Sequence, residues 1–341
     1  MSVHLLELNY FSSFRGQGIV GPNKSMETAS THPKPPRISV LIPCYQQARF
    51  LAEALDSVLC QDFHDLEVIA SDDASPDNTF PILQDYAQRD SRIRIFRQPS
   101  NLGMVKNWNF CLREARGEAV KLMGGDDRLD RPDCLSRQWQ SLQTPGVALV
   151  ACSRKIIDAD GRFLECIANL PRGYLPPAKI IPKMLEHQDN LLGEPVCCLF
   201  RRKDATRGFH PEYLQNTDIE MWFHILRFGG LAYDAEPLVA FRRHPDQNTN
   251  IHNKSGLSLE EHCLLILKQS SGRHISSACK AHVLHYADNA LRITDSMEIR
   301  RAAQQLNLEM SWADALRAKI LFRIRRTLHR WNRSISKRIP L

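Results

Sequence analysis

Two carboxylate pairs stand where chemistry could use them. In GEAVKLMGGDDRLD (117–130), an apolar run from Ala119 to Met123 stops at two glycines, and Asp126 and Asp127 follow at once. Side-by-side carboxylates repel unless something positive or hydrogen-bond donors sit between them. An ordinary polar turn is the other reading, since Gly and Asp are common loop residues. The second pair, Asp72-Asp73, closes the apolar stretch LEVIAS, and Pro43-Cys44-Tyr45-Gln46 closes ISVLI. Hard cations such as Mg²⁺ and Mn²⁺ take oxygen ligands and bridge one or two carboxylates to phosphates. A nucleoside diphosphate held with such a cation would suit these residues.

Elements must carry these groups to one place. ISVLIP (38–43) is a continuous apolar, β-branched run, the pattern of a strand buried on both faces. FLAEALDSVLC (50–60) puts Phe50, Leu51, Leu55, Val58 and Leu59 on one side of a helix. A strand at 66–70, a helix from Asp77-Asn78-Thr79 through Tyr86, a strand at 92–96, a helix at 104–115 and a strand at 119–123 follow. Alternating strands and helices predict an open α/β sheet, whose ligands bind beyond the carboxyl ends of the strands. Three polar strand ends then share one edge, which makes a common ligand site a better account than three separate turns.

The stretches ISVLIPCYQQARFLAEALDSVLCQDF, LEVIASDDASPDNT and NLGMVKNWNFCLREARGEAVKLMGGDDRLDRPDCL together resemble the family 2 nucleotide-sugar glycosyltransferases, colinear over about residues 37–250. The resemblance implies a GT-A fold: one open mixed sheet with a Rossmann-like nucleotide-sugar half (37–130) and an acceptor half (131–250). Around it stand a flexible leader (1–36) and a helical extension (251–341). It further implies that Pro43 and Tyr45 line the nucleoside pocket, that Asp73 accepts a hydrogen bond from the base, and that Lys106 contacts base or phosphate. Asp126 and Asp127 would hold Mn²⁺ or Mg²⁺ against the diphosphate, with Arg242 and His244 facing it. Asp218 would be the general base of an inverting transfer from a nucleotide-sugar, UDP-linked, to a saccharide or lipid-linked acceptor; a helix N-cap is the plainer reading of Asp218. In the acceptor half, 147–161 reads as a strand and turn, and GEPVCCLFRR (193–202) as a further strand.

Three positions depart from the family pattern. Gly124 stands where many relatives carry an acid, Lys106-Asn107 replaces Arg-Asn, and Thr217 replaces the Glu of a Glu-Asp pair. A degenerate nucleotide-binding scaffold is therefore a second reading. A nucleotidyltransferase is a third, although CYQQARF lacks the Gly-rich basic loop it would need after the first strand.

Bulk properties narrow the field. The formal net charge of +7 sits largely after Leu316, where there is no Asp or Glu, so a body close to neutral argues against nucleic acid as partner. The ten cysteines form no paired CxxC motifs and fall mostly in apolar runs, Cys44, Cys60, Cys111 and Cys152 among them, which points to a reducing compartment. No stretch is long and apolar enough for a membrane span, and no signal peptide is evident, so a cytoplasmic location is expected. GQGIVG (16–21) matches a dinucleotide-binding pattern but neither follows a strand nor opens a helix. Finally, apolar residues from Leu316 to Ile335 recur at steps of three and four among many Arg and Lys. Residues 316–338 thus read as a basic amphipathic helix suited to an anionic membrane surface, a docking helix and a nucleic-acid-binding helix being the alternatives.

Overall fold

A computed structural model describes residues 35–187, 190–245, 247, 257–270, 277–294 and 296–305. The expected leader up to residue 34 and the basic stretch 316–338 lie outside the described residues. The alternation is as expected: β1 (Ile38–Cys44), α1 (Leu51–Leu59), β2 (Leu66–Asp72), α2 (Thr79–Arg89), β3 (Ile93–Arg97), α3 (Met104–Glu114) and β4 (Ala119–Leu122). β1 and β2 are buried along their whole length, which is why both read as unbroken apolar runs. α1 buries Leu51, Ala54, Leu55 and Val58, one stripe at helical spacing. Cys60, just past its end, is exposed rather than packed in the core, because it falls off that stripe.

The second half comprises β5 (Arg128–Leu129), α4 (Cys134–Leu142), β6 (Val147–Ile157), β7 (Phe163–Ile167), β8 (Gly173–Leu175), α5 (Pro177–Glu186), β9 (Cys198–Arg201), α6 (Thr217–Ile225) and β10 (Gly230–Arg242). Three helices follow: α7 (Leu257–Ser270), α8 (Ser277–Thr294) and α9 (Met297–Gln305). The sheet runs β3-β2-β1-β4-β9-β6-β10-β5, with β7 on β6 and β8 on β10. β1 to β4 are mutually parallel where they pair, whereas β9 runs antiparallel between β4 and β6.

That inversion decides where the site can be built. Because β9 is antiparallel and Cys198 pairs with Ala151, the chain entering it lies at the exit of β4 and beside the middle of β6, on the side that carries Asp126 and Asp127. The expected strand over 193–202 is shorter than its sequence suggested. Pro195–Cys197 is a 3₁₀ turn, and only Cys198–Arg201 is strand. Proline at the start of the turn and Gly193 at φ +88° bend the backbone out of the ladder. The fully buried Lys121 holds the turn down by donating from Nζ to the Val196 carbonyl at 2.6 Å and to Gln138 at 2.8 Å.

All ten cysteines are free, and eight are buried. Burial pushes the Cys44, Cys197 and Cys198 thiols up, which keeps them un-ionised and poor nucleophiles. Among the described residues no helix is long and apolar enough to cross a membrane.

Candidate active site

The exits of β1 and β2 are laced together. Cys44 and Asp72 are partners in the ladder, and beyond them the Asp73 amide donates to the Cys44 carbonyl at 2.9 Å. The loop after β1 turns through Gln46 at φ +56°, whose amide donates to Ser75 Oγ at 2.9 Å. Gln47 then donates its amide to Thr79 Oγ1 at 3.0 Å. Pro43 is buried in the strand, while the Tyr45 ring is exposed at the same edge. The Asp73 carboxylate is buried and accepts the amides of Leu102 and Gly103 at 2.7 and 2.9 Å. Each oxygen retains a lone pair for a further donor. Lys106, in the first turn of α3, is exposed close by in sequence to that anchor. Its neighbour Asn107 is instead a buried strut: Nδ2 donates to the Ser71 carbonyl at 3.0 Å.

After β4 the two glycines have a steric purpose. A Cβ on Gly124 would lie 2.3 Å from Asp126 Oδ1 and 3.5 Å from Asp127 Oδ2, so both carboxylates converge over a bare Cα. A Cβ on Gly125 would meet Gln47 Oε1 at 2.3 Å. The sequence counted Gly124 as a lost ligand; the geometry makes it the floor of the cradle. Any side chain there would displace Asp126. The backbone amide of Arg242 donates to Asp127 Oδ1 at 3.1 Å, and His244 Nε2 lies 3.1 Å from Asp126 Oδ2. Burial, and then the charge of Asp126, push the Asp127 carboxyl well above the ordinary range. Two hard oxygen donors, one held reluctant to ionise by burial and then by its twin, form a pair that a divalent cation would relieve. Among the described residues no three His, Cys, Asp or Glu side chains are arranged to hold a metal unaided.

Arg242 does not face the open edge as the resemblance implied. It is fully buried, its guanidinium 4.8 Å over the Phe50 ring, with Nε donating to the Asp126 carbonyl at 2.8 Å, Nη1 to the Asp158 carbonyl at 3.2 Å and Nη2 to Glu53 at 2.5 Å. A guanidinium spent on two loop carbonyls and a carboxylate is a brace for the acidic pair. Neither Glu53 nor the stacking Phe50 was singled out as part of this site. The only signal for Glu53 was one acidic residue in an otherwise apolar first turn of α1.

Asp218 is the second residue of α6, with Asn216 at the N-cap position, so it is not the helix cap. Its carboxylate is buried and accepts the Ile219 amide at 2.8 Å and Asn190 Nδ2 at 2.7 Å. Burial raises its pKa to about 7, and the neighbouring Glu194 adds to the rise against those hydrogen bonds. Glu194 raises Asp127 as well, so its charge reaches both the acidic pair and Asp218. Thr217, where the family's Glu would stand, is buried and its hydroxyl finds no partner among the described residues. In the sequence, Glu194 and its ion-pair partner Arg154 stand out only as parts of two strands. Gly-Glu-Pro, a carboxylate between two strand breakers, was the available signal.

The fold has known counterparts. The S. aureus TarS 1–349 structure in complex with UDP-GlcNAc superposes with a TM-score of 0.59 at 16% identity, covering 79% of each chain. The mannosyltransferase PcManGT of Pyrobaculum calidifontis, solved with GDP-Man and Mn²⁺, gives 0.51 at 18% identity over 84% of each. In sequence, the chain is 26% identical over 208 residues to TuaG of Bacillus subtilis, a glycosyltransferase assigned to teichuronic acid biosynthesis, spanning 60% of this chain and 78% of that one. The family described as Glycosyl transferase family 2 matches residues 39–209, half of the chain, a span that takes in β1 to β9 and the acidic pair but stops before Asp218, β10 and His244. The chain belongs to glycosyl transferase family 2 and is a glycosyltransferase.

Proposed function

We propose that the chain transfers a sugar from a nucleotide-sugar, taken as UDP-linked, to a hydroxyl of a saccharide or lipid-linked acceptor in polysaccharide or glycolipid synthesis, with inversion at the anomeric carbon. The observation that carries this reading is Asp218: a buried carboxyl with a pKa of about 7, raised in part by the same Glu194 that raises Asp127 of the acidic pair. A general base works best when its pKa is near the working pH. The acceptor oxygen would attack the anomeric carbon from the face opposite the diphosphate and give its proton to Asp218. The bond from anomeric carbon to phosphate oxygen would break with its electron pair leaving on the nucleoside diphosphate.

Asp126 and Asp127 would hold Mn²⁺ or Mg²⁺, a group that supplies charge stabilisation to the leaving diphosphate when bound. The Mn²⁺ present with PcManGT supports that assignment. The part in polysaccharide synthesis is supported by TuaG. Asp73 would accept from the base, Tyr45 and Pro43 would flank it, and Lys106 and His244 would bear on the phosphates; Arg242 would act by bracing the loop.

The test is a panel of UDP- and GDP-sugars with saccharide and lipid-linked acceptors, followed by NMR of the product. Inverted anomeric configuration is expected. Asp218→Asn should bind donor normally yet lose transfer by at least ~10²-fold. Near-normal turnover by that variant, or a retained configuration, would overturn the mechanism.

A further inference from the structure

One ion pair at this edge is left with its hydrogen-bonding capacity unspent. Arg154, on β6, is 6% exposed, and its Nε lies 2.5 Å from Glu194 Oε2. That contact is close but badly angled. Neither atom makes a hydrogen bond, and Arg154 donates no side-chain hydrogen bond to any described residue. A guanidinium offers five N–H donors and a carboxylate about four lone pairs. Buried polar groups left unsatisfied are uncommon enough to need a reason. The neighbouring arginine, Arg242, shows what a structural guanidinium does here, with every nitrogen engaged.

The backbone around the pair keeps it in place without using it. β9 is antiparallel between β4 and β6, so residues 193–197 lie at the exit of β4 and beside Cys152 and Arg154 of β6. Lys121 grips the Val196 carbonyl and Gln138 the Cys197 carbonyl at 2.8 Å. Gly193 is left-handed, and a Cβ there would come within 2.9 Å of Arg154 Nη1, so the glycine opens space at the guanidinium. Upstream, Asn190 of the same segment is bonded to Asp218. Glu194 is one-quarter exposed, and its charge is felt at both Asp127 and Asp218. It lies along the row that joins the diphosphate end of the site to the base.

The geometry points to Arg154 and Glu194 as a specificity-determining pair that holds the transferred sugar, reading adjacent hydroxyl groups of a neutral hexose. This rests on the transferase reading above. The sugar must span the row from diphosphate to base, and a vicinal diol presents both polarities to such a pair. One hydroxyl donates to the Glu194 carboxylate, and the Arg154 fork donates to its neighbour. A sugar acid would bring another carboxylate into a row already holding Asp126, Asp127, Glu194 and Asp218, and like charges brought together cost affinity.

The test is calorimetry on the full chain in Mn²⁺ with five probes: UDP, GDP, UDP-glucose, GDP-mannose and UDP-glucuronate. Wild type should bind a hexose conjugate more tightly than its free diphosphate, and UDP-glucuronate at least about tenfold more weakly than UDP-glucose. Glu194→Gln should weaken the hexose conjugate by about tenfold, leave the free diphosphate within about twofold, and narrow the gap to UDP-glucuronate. Arg154→Lys, which keeps the charge and loses the fork, should show the same split if Glu194→Gln fails to fold. Equal losses for free diphosphate and conjugate, or none for either, would overturn the pair's role while leaving the transferase reading intact. Failure of wild type to bind either diphosphate would overturn that reading and this proposal together.

Discussion

Asp218 shows how position inside a helix changes what a carboxylate can do. At an N-cap it would be solvated and strongly acidic; in the buried first turn of α6 it titrates near 7. Two consequences follow from that pKa. The donor-saturated rate should rise with pH and level off above about 7, as the carboxyl loses its proton. The stability consequence runs the other way. A folded-state pKa raised above the unfolded value means the folded chain prefers the protonated acid. Stability is therefore lost as pH rises from the ordinary carboxylate range through about 7, and is constant above. Asp218→Asn removes the ionisation, so it should be more stable than wild type by ~1–4 kcal/mol at pH 8, with little difference near pH 4. Urea unfolding at the two pH values checks this; equal stability at pH 8 would contradict the buried, raised carboxyl. Asp126 and Asp127 were legible in the sequence because adjacency is itself a signal. Glu194 and Arg154 were not, since 40 residues of chain separate partners that meet only through the antiparallel β9.

At the scale of elements, local periodicity carried β1, α1, β2, α2, α3 and β4 within a few residues, because each buries a continuous run or a single stripe. It carried the turn at 195–197 poorly. CCLF is apolar throughout, and nothing in its spacing shows that a lysine from β4 draws the preceding backbone aside. It also misjudged Arg242, whose type suits a phosphate but whose neighbours consume it. That arginine ties three elements: α1 through Glu53, the β4 exit through the Asp126 carbonyl, and the β6 exit through the Asp158 carbonyl. Arg242→Met should cost ~3–5 kcal/mol of unfolding free energy, because buried loop carbonyls lose their donor and Glu53 loses part of its compensation. Denaturant unfolding at neutral pH measures it. A loss under ~1 kcal/mol would mean the guanidinium is not the brace described here.

For the molecule as a whole, one edge of the ten-stranded sheet gathers what the sequence scattered. The parallel half delivers Tyr45, Asp73 and the acidic pair to that edge; the inverted β9 and the start of α6 bring Glu194 and Asp218 to meet them. The GT-A fold was legible because the order and spacing of several motifs agree over more than half the chain. The donor's sugar was not, because it is read by side chains that topology, not sequence order, brings together. The most direct test of the account is calorimetric titration of UDP and GDP, with and without Mn²⁺, against wild type and Asp127→Ala. Diphosphate binding that requires the metal and falls by at least about tenfold in the variant is predicted. Binding indifferent to both metal and Asp127, or no binding of either nucleotide, would contradict the carboxylate edge as the donor site.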